Sequence, residues 1–185
     1  MKHLKTEVVE SVQAESHSAE FEAVFMEHWA PVYRLLRRLV GDPAEAEDLA
    51  LETFQRLYRK QGHRADGFNV GGWLYRVATN LGLHSIRGWK RRERYELAAG
   101  RYALEEAEQG SPAEILAREE ERQRVRLVLS RMNERQSQLL ILRHSGLAYK
   151  EIARVLDLAP ASIGPLLVRA EREFEKRYRA LEEEE

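Results

Sequence analysis

The 185-residue chain contains no cysteine. That excludes disulfides, thiolate metal sites and thiol nucleophiles, and it fits a reducing cytosol. The six histidines (His3, His17, His28, His63, His84 and His144) include no pair at the helical interval metal ligands use, so neither a metal nor another cofactor is expected. No apolar stretch approaches the roughly 18–20 residues that a membrane helix needs, and the N-terminus lacks an apolar run of signal-peptide length. The expectation is a cytoplasmic protein without membrane association. Nor does the sequence suggest a Ser/His/Asp set or a glycine-rich phosphate loop after a strand, so it is not read as an enzyme. A formal net charge of −1 argues against a general nucleic-acid coat, whose affinity would come from positive charge over the whole surface.

What the chain has instead is charge in blocks. Residues 84–94 carry Arg87, Lys90, Arg91, Arg92 and Arg94 against Glu93 alone, whereas residues 96–121 carry eight acids against Arg101 and Arg118. Just ahead of the basic block stands Trp73-Leu-Tyr-Arg-Val-Ala-Thr-Asn80. Spacings of three and four put Trp73, Arg76, Val77 and Asn80 along one side of a helix. An aromatic ring, a guanidinium and an amide beside a cationic patch suit unpaired bases held by stacking, with their phosphates neutralised nearby.

Apolar periodicity predicts an all-α fold. Residues 1–18 are polar and read as a disordered tail, with Ser18 as a candidate N-cap. Phe21, Val24, Phe25, Trp29, Val32, Leu35, Leu36 and Leu39 mark the first helix, which Pro31 should kink or divide. Gly41 ends it, and Asp42-Pro43 opens a second, antiparallel helix. A glycine-containing loop precedes the Trp73 helix, which closes a first domain at residues 19–94. Residues 95–112 read as a flexible acidic linker. Residues 113–185 form a second domain with helices expected at about 113–132, 134–144, 149–156 and 160–181. The short pair across the turn at 157–159 is a helix-turn-helix, whose second member can enter a major groove.

In order along the chain, Glu45-Ala-Glu-Asp-Leu-Ala-Leu-Glu-Thr-Phe54, the Trp73–Asn80 segment and Gly146-Leu-Ala-Tyr-Lys-Glu-Ile-Ala153 resemble the bacterial RNA polymerase sigma factors of the extracytoplasmic-function group. The resemblance spans about residues 19–180. It implies two small helical domains joined by a flexible linker, with core RNA polymerase and promoter DNA as partners and an anti-sigma factor as a further possible one. It also implies a specificity subunit that directs polymerase to promoters and helps to melt them. Asp48, Leu49, Leu51, Glu52 and Arg56 would dock the polymerase. Phe68, Trp73, Arg76, Asn80, Arg87, Lys90, Arg91 and Arg92 would bind the minus-ten element and its separated strand. Phe68 is the candidate for the aromatic that the family places just before the tryptophan. Lys150, Ser162, Arg169 and Arg172 would serve the minus-thirty-five element, and the acidic linker would thread toward the polymerase active-site channel.

The sequence departs from the family in the last of these regions. Where relatives commonly show Gly-Thr-Val-Lys-Ser-Arg-Leu, this chain has Ala161-Ser-Ile-Gly-Pro-Leu-Leu167. Gly164 and Leu166 cannot make charged or bidentate base contacts, and Pro165 either strains the helix or moves its start to near Gly164. Weaker upstream recognition, or recognition by DNA shape, is expected. Two other functions stay open at this point: a regulator that uses only the helix-turn-helix, and a sigma-like protein that binds polymerase or an inhibitor without selecting promoters.

Overall fold

The computed structural model describes the backbone of residues 2–60, 67–96 and 111–183, with side chains from residue 19 onward in those stretches except 89–96, 112, 115 and 116. Among these residues there are seven α-helices and no strand. α1 (Lys2–Val40) begins well ahead of Ser18, so the expected tail is helical backbone. Residues 2–30 contain neither glycine nor proline, and nothing in the covalent chain stops the helix there. Nor does Pro31 divide α1. It forfeits one backbone hydrogen bond, but burial of Val32, Leu35, Leu36, Leu39 and Val40 holds the following turns in place.

At Gly41 φ is +87°, which turns the chain into α2 (Pro43–Arg59). The Asp42 carboxylate accepts from the Glu45 N–H at 2.7 Å, and Pro43 occupies the first turn, as the sequence predicts. Ala46, Ala50, Thr53, Phe54 and Leu57 are buried at helical spacing. Phe54 meets Phe25 and Trp29 with ring centroids 4.8 and 5.9 Å apart. α3 (Val70–Glu96) begins three residues before Trp73, despite Gly71 and Gly72, because the Asn69 side chain accepts from the Gly72 N–H at 2.9 Å. Its passage along α1 is so close that a Cβ on Gly82 would lie 2.4 Å from a Leu39 methyl.

The second domain opens with α4 (Pro112–Arg131), closed at its N-terminus by the Ser111–Glu114 capping box. α5 (Glu134–His144), α6 (Tyr149–Leu156) and α7 (Pro160–Glu182) follow with boundaries close to those expected. Asp157, at φ +55°, makes the turn between α6 and α7. Leu139, Leu142, Ile152, Leu156, Ile163 and Leu167 form the core of this domain. α7 starts at Pro160 and runs through Pro165, so the late start near Gly164 is not adopted. Pro165 lies on the exposed side of α7, where the ring burdens one turn only, while Ile163 and Leu167 on either side are buried.

The domains touch, with α3 packing against α4, α5 and α6. α4 also crosses the α1–α2 turn. A Cβ on Gly41 would stand 2.1 Å from an Arg126 Nη, so a side chain there would also push the guanidinium aside.

Candidate nucleic-acid interface

Phe68 and Trp73 meet at the start of α3 with ring centroids 6.4 Å apart. Lys60 holds its ammonium 5.5 Å from the Phe68 centroid. Both rings are half-buried and rest against the core, so each keeps part of its surface in solvent. The backbone of α3 continues through Lys90, Arg91 and Arg92, whose side chains lie outside the described residues.

Further along α3 the expected DNA-facing residues Arg76, Asn80 and Arg87 share a stripe with Leu83, at spacings of four, three and four. In this structure that stripe is turned to the second domain. Arg76 donates its Nε–H to the Val155 carbonyl. Asn80 Oδ1 accepts from Gln138 Nε2 at 2.7 Å. Arg87 pairs with Glu134 at 3.3 Å and donates to the Met132 carbonyl at 3.5 Å. Leu83 is fully buried. Each of the three polar groups, able to bind phosphate or base edges, thus has a protein partner in this conformation, while Asn80 remains exposed and Arg76 and Arg87 are half-buried.

On α2, Asp48 and Leu51 are exposed, Glu52 is half-buried, and Arg56 pairs with Glu52 at 2.6 Å. Leu49 turns away from Leu51, as residues two apart on a helix must, and packs against the core. Tyr58, one helical repeat beyond Leu51, is 54% exposed.

The helix-turn-helix presents Lys150, Arg169 and Arg172 exposed and Ser162 half-exposed. Among the described residues, Lys150, Arg169 and Arg172 make no ion pair. Between them lie Ala161, Pro165 and Val168, exposed along one line of α7. Val168 is 46% exposed, unusual for a large apolar side chain in this molecule. Beside that line the Arg143 guanidinium sits 5.4 Å from the Tyr149 ring centroid.

Residues 24–94 match the family model described as Sigma-70 region 2, and residues 122–174 match the model described as Sigma-70, region 4. The RNA polymerase sigma-H factor of Pseudomonas aeruginosa is 28% identical over an alignment covering 95% of this chain and 94% of that protein. The ECF RNA polymerase sigma factor BldN of Streptomyces coelicolor is 31% identical, covering 90% of this chain and 62% of BldN. The chain belongs to the RNA polymerase sigma factors of the extracytoplasmic-function group. As such, this sigma factor binds core RNA polymerase and promoter DNA, and it directs the enzyme to promoters when transcription begins. The presence of both regions in one chain disfavours a regulator built on the helix-turn-helix alone.

The fold is that of solved sigma factors. The structure of CnrH in complex with the cytosolic domain of CnrY matches with a TM-score of 0.53 at 18% identity, covering 90% of this chain and 94% of that one. The sigma factor RpoE in complex with the anti-sigma factor NepR from Bartonella quintana matches with a TM-score of 0.51 at 20% identity, covering 86% and 97%. No helix among the described residues of the sigma factor is long and apolar enough to cross a membrane, and no group of histidine and acidic residues there could hold a metal ion.

Proposed function

We propose that the N-terminal domain, residues 19–94, divides its work between α2 and α3. The outer face of α2, with Asp48, Leu51, Glu52, Arg56 and Tyr58, docks core polymerase by an apolar contact ringed with charge. The start of α3 holds the minus-ten element. Phe68 and Trp73 take unpaired bases by stacking, Arg76 and Asn80 reach phosphate and base edges, and Arg87 with the cations after it neutralises the strand. Extruding a base costs a few kcal/mol, and stacking returns roughly 1–3 kcal/mol per base, so aromatic surface decides whether a strand stays open. The observation that carries this proposal is the placement of Phe68, Trp73 and Lys60 at the head of the stripe bearing Arg76 and Asn80. The protein itself performs no bond chemistry and acts in the cytoplasm, where the polymerase does. An anti-sigma factor is a further partner, as it is for RpoE in the solved complex. Abortive initiation by core polymerase on a promoter library tests the assignment: the added protein should select a subset of templates, and a flat response across them would refute it.

The C-terminal domain, residues 113–185, reads the minus-thirty-five element through α7. Lys150, Ser162, Arg169 and Arg172 hold phosphates and fix register. The line of Ala161, Pro165 and Val168 offers no hydrogen bond, but it suits the C5-methyl groups of thymine in the major groove. Replacing thymine by uracil at contacted positions removes the methyl and leaves every hydrogen bond in place. Each such replacement should cost about 0.8 kcal/mol, about fourfold in affinity. Titration of duplexes with single replacements, by fluorescence anisotropy with the polymerase holoenzyme, measures this. Equal affinity at every position would remove the apolar line from the readout.

A further inference from the structure

We propose that the cavity between α1 and the second domain is a binding site for a small amphiphile, an acyl chain that ends in an uncharged amide. About 380 Å³ stands open there, walled by Leu35 and Leu39 of α1, Leu129 of α4, Leu140 and Ile141 of α5 and Phe174 of α7. Protein interiors pack as densely as organic crystals and leave few voids larger than a water molecule. A void of this size is therefore unusual where five leucine and isoleucine side chains, each less than a tenth exposed, converge. Water is a poor occupant. The walls are hydrocarbon, and the nearby Ser145 hydroxyl already donates to the Ile141 carbonyl at 2.8 Å. An apolar cavity of about 150 Å³ takes up benzene, so by the same ratio this one has room for roughly fifteen heavy atoms, and its volume falls within the usual range of small-molecule sites. An acyl chain would restore the contacts that the walls lack.

The polar residues select the other end of the ligand. Arg38, His144 and Glu171 also line the cavity, and all three are exposed, so they mark its open side. Among the described residues none of the three makes an ion pair. The formal charges of Arg38 and Glu171 cancel. A carboxylate head would gain from the guanidinium and lose to Glu171, an ammonium head would do the reverse, and either would surrender hydration beside hydrocarbon walls. An amide escapes that conflict, because its carbonyl accepts from Arg38 while its N–H donates to Glu171, with the His144 imidazole as a further partner. The walls come from both domains, so the ligand binds only their packed arrangement and stabilises the fold by mass action. No residue lining the cavity is among those assigned to polymerase or to DNA, and the site stands independently of those roles.

Octanamide, octanoate and octylamine share one chain length and differ in the head, which makes them suitable probes of the full-length protein. In mildly alkaline buffer, where a free imidazole is uncharged, octanamide should raise the melting temperature and show intermolecular NOEs to the methyl groups of Leu39 and Ile141. Calorimetry should give about fourfold tighter binding for each methylene added, until the cavity is full. Octanamide should bind up to about fivefold more tightly than the two charged probes, the cost of one exposed like-charge contact. Glu171→Gln should turn the preference toward octanoate and Arg38→Gln toward octylammonium, and both exposed positions leave the fold unaffected. Val125 is half-buried and also lines the cavity, so Val125→Phe fills part of it and should lose octanamide while keeping the helical circular dichroism. Octanamide that gives neither a thermal shift nor NOEs to Leu39 and Ile141 would overturn the site. Equal uptake of all three probes by the unmodified and Val125→Phe proteins would mark adsorption at the surface and overturn it as well. A preference among heads that neither rim variant moves would overturn the assigned ligand class.

Discussion

With Asp48 and Glu52 both replaced by Lys, the sigma factor is expected to lose core polymerase in co-purification while keeping its helical circular dichroism. Both side chains belong to the outer face of α2, and their only described ion pair is Glu52–Arg56 at 2.6 Å. That pair is about half exposed, and losing it costs the fold at most about 1 kcal/mol. Binding is a different matter, because a basic partner surface would meet two ammonium groups in place of two carboxylates. Like charges facing across an interface cost several kcal/mol, which is at least a hundredfold in affinity. Leu51→Ala should weaken the complex less and without reversal of charge. Leu49→Ala should instead act on stability, since that side chain packs inward. Normal co-purification of the double variant would place the polymerase contact elsewhere.

The second large effect is expected at Trp73. Trp73→Ala should reduce abortive product from duplex promoters by roughly tenfold to a hundredfold, the loss of about one base stack at 1–3 kcal/mol. The ring is half-buried, so truncation also costs stability, and Trp73→Phe separates the two causes: an aromatic face at this position should restore most of the product. Phe68→Ala should act in the same direction, since its ring adjoins Trp73 at 6.4 Å. Product unchanged in both alanine variants, with polymerase binding intact, would exclude the pair from strand capture.

Much of this was legible because the signals are local. Asp42-Pro43 announced α2 through capping chemistry, and the four helices expected after residue 112 appear with bounds close to those read from the sequence. Local signals also misled where another local force was stronger. The Asn69 cap carried α3 back over two glycines, and the absence of any breaker carried α1 through the supposed tail. At Pro165 the sequence allowed either strain within the helix or a late start, and α7 takes the first at its expected position, where the burial of Ile163 and Leu167 outweighs one lost hydrogen bond. What no local pattern announced is the contact between domains. Gln138 lies 58 residues from Asn80, and Glu134 lies 47 from Arg87. Polar contacts at such separations leave no periodicity, so the side chains singled out for DNA were identified without the protein groups that hold them.

The central claim is that the aromatic corner at the head of α3 receives the separated non-template strand. A photo-crosslinking benzophenone side chain in place of Phe68, in a complex of the sigma factor, core polymerase and a promoter, tests it most directly. The account predicts crosslinks to unpaired bases of the minus-ten element on the non-template strand, lost when the promoter is kept double-stranded. Crosslinks only to protein or to upstream duplex, with transcription still active, would contradict it.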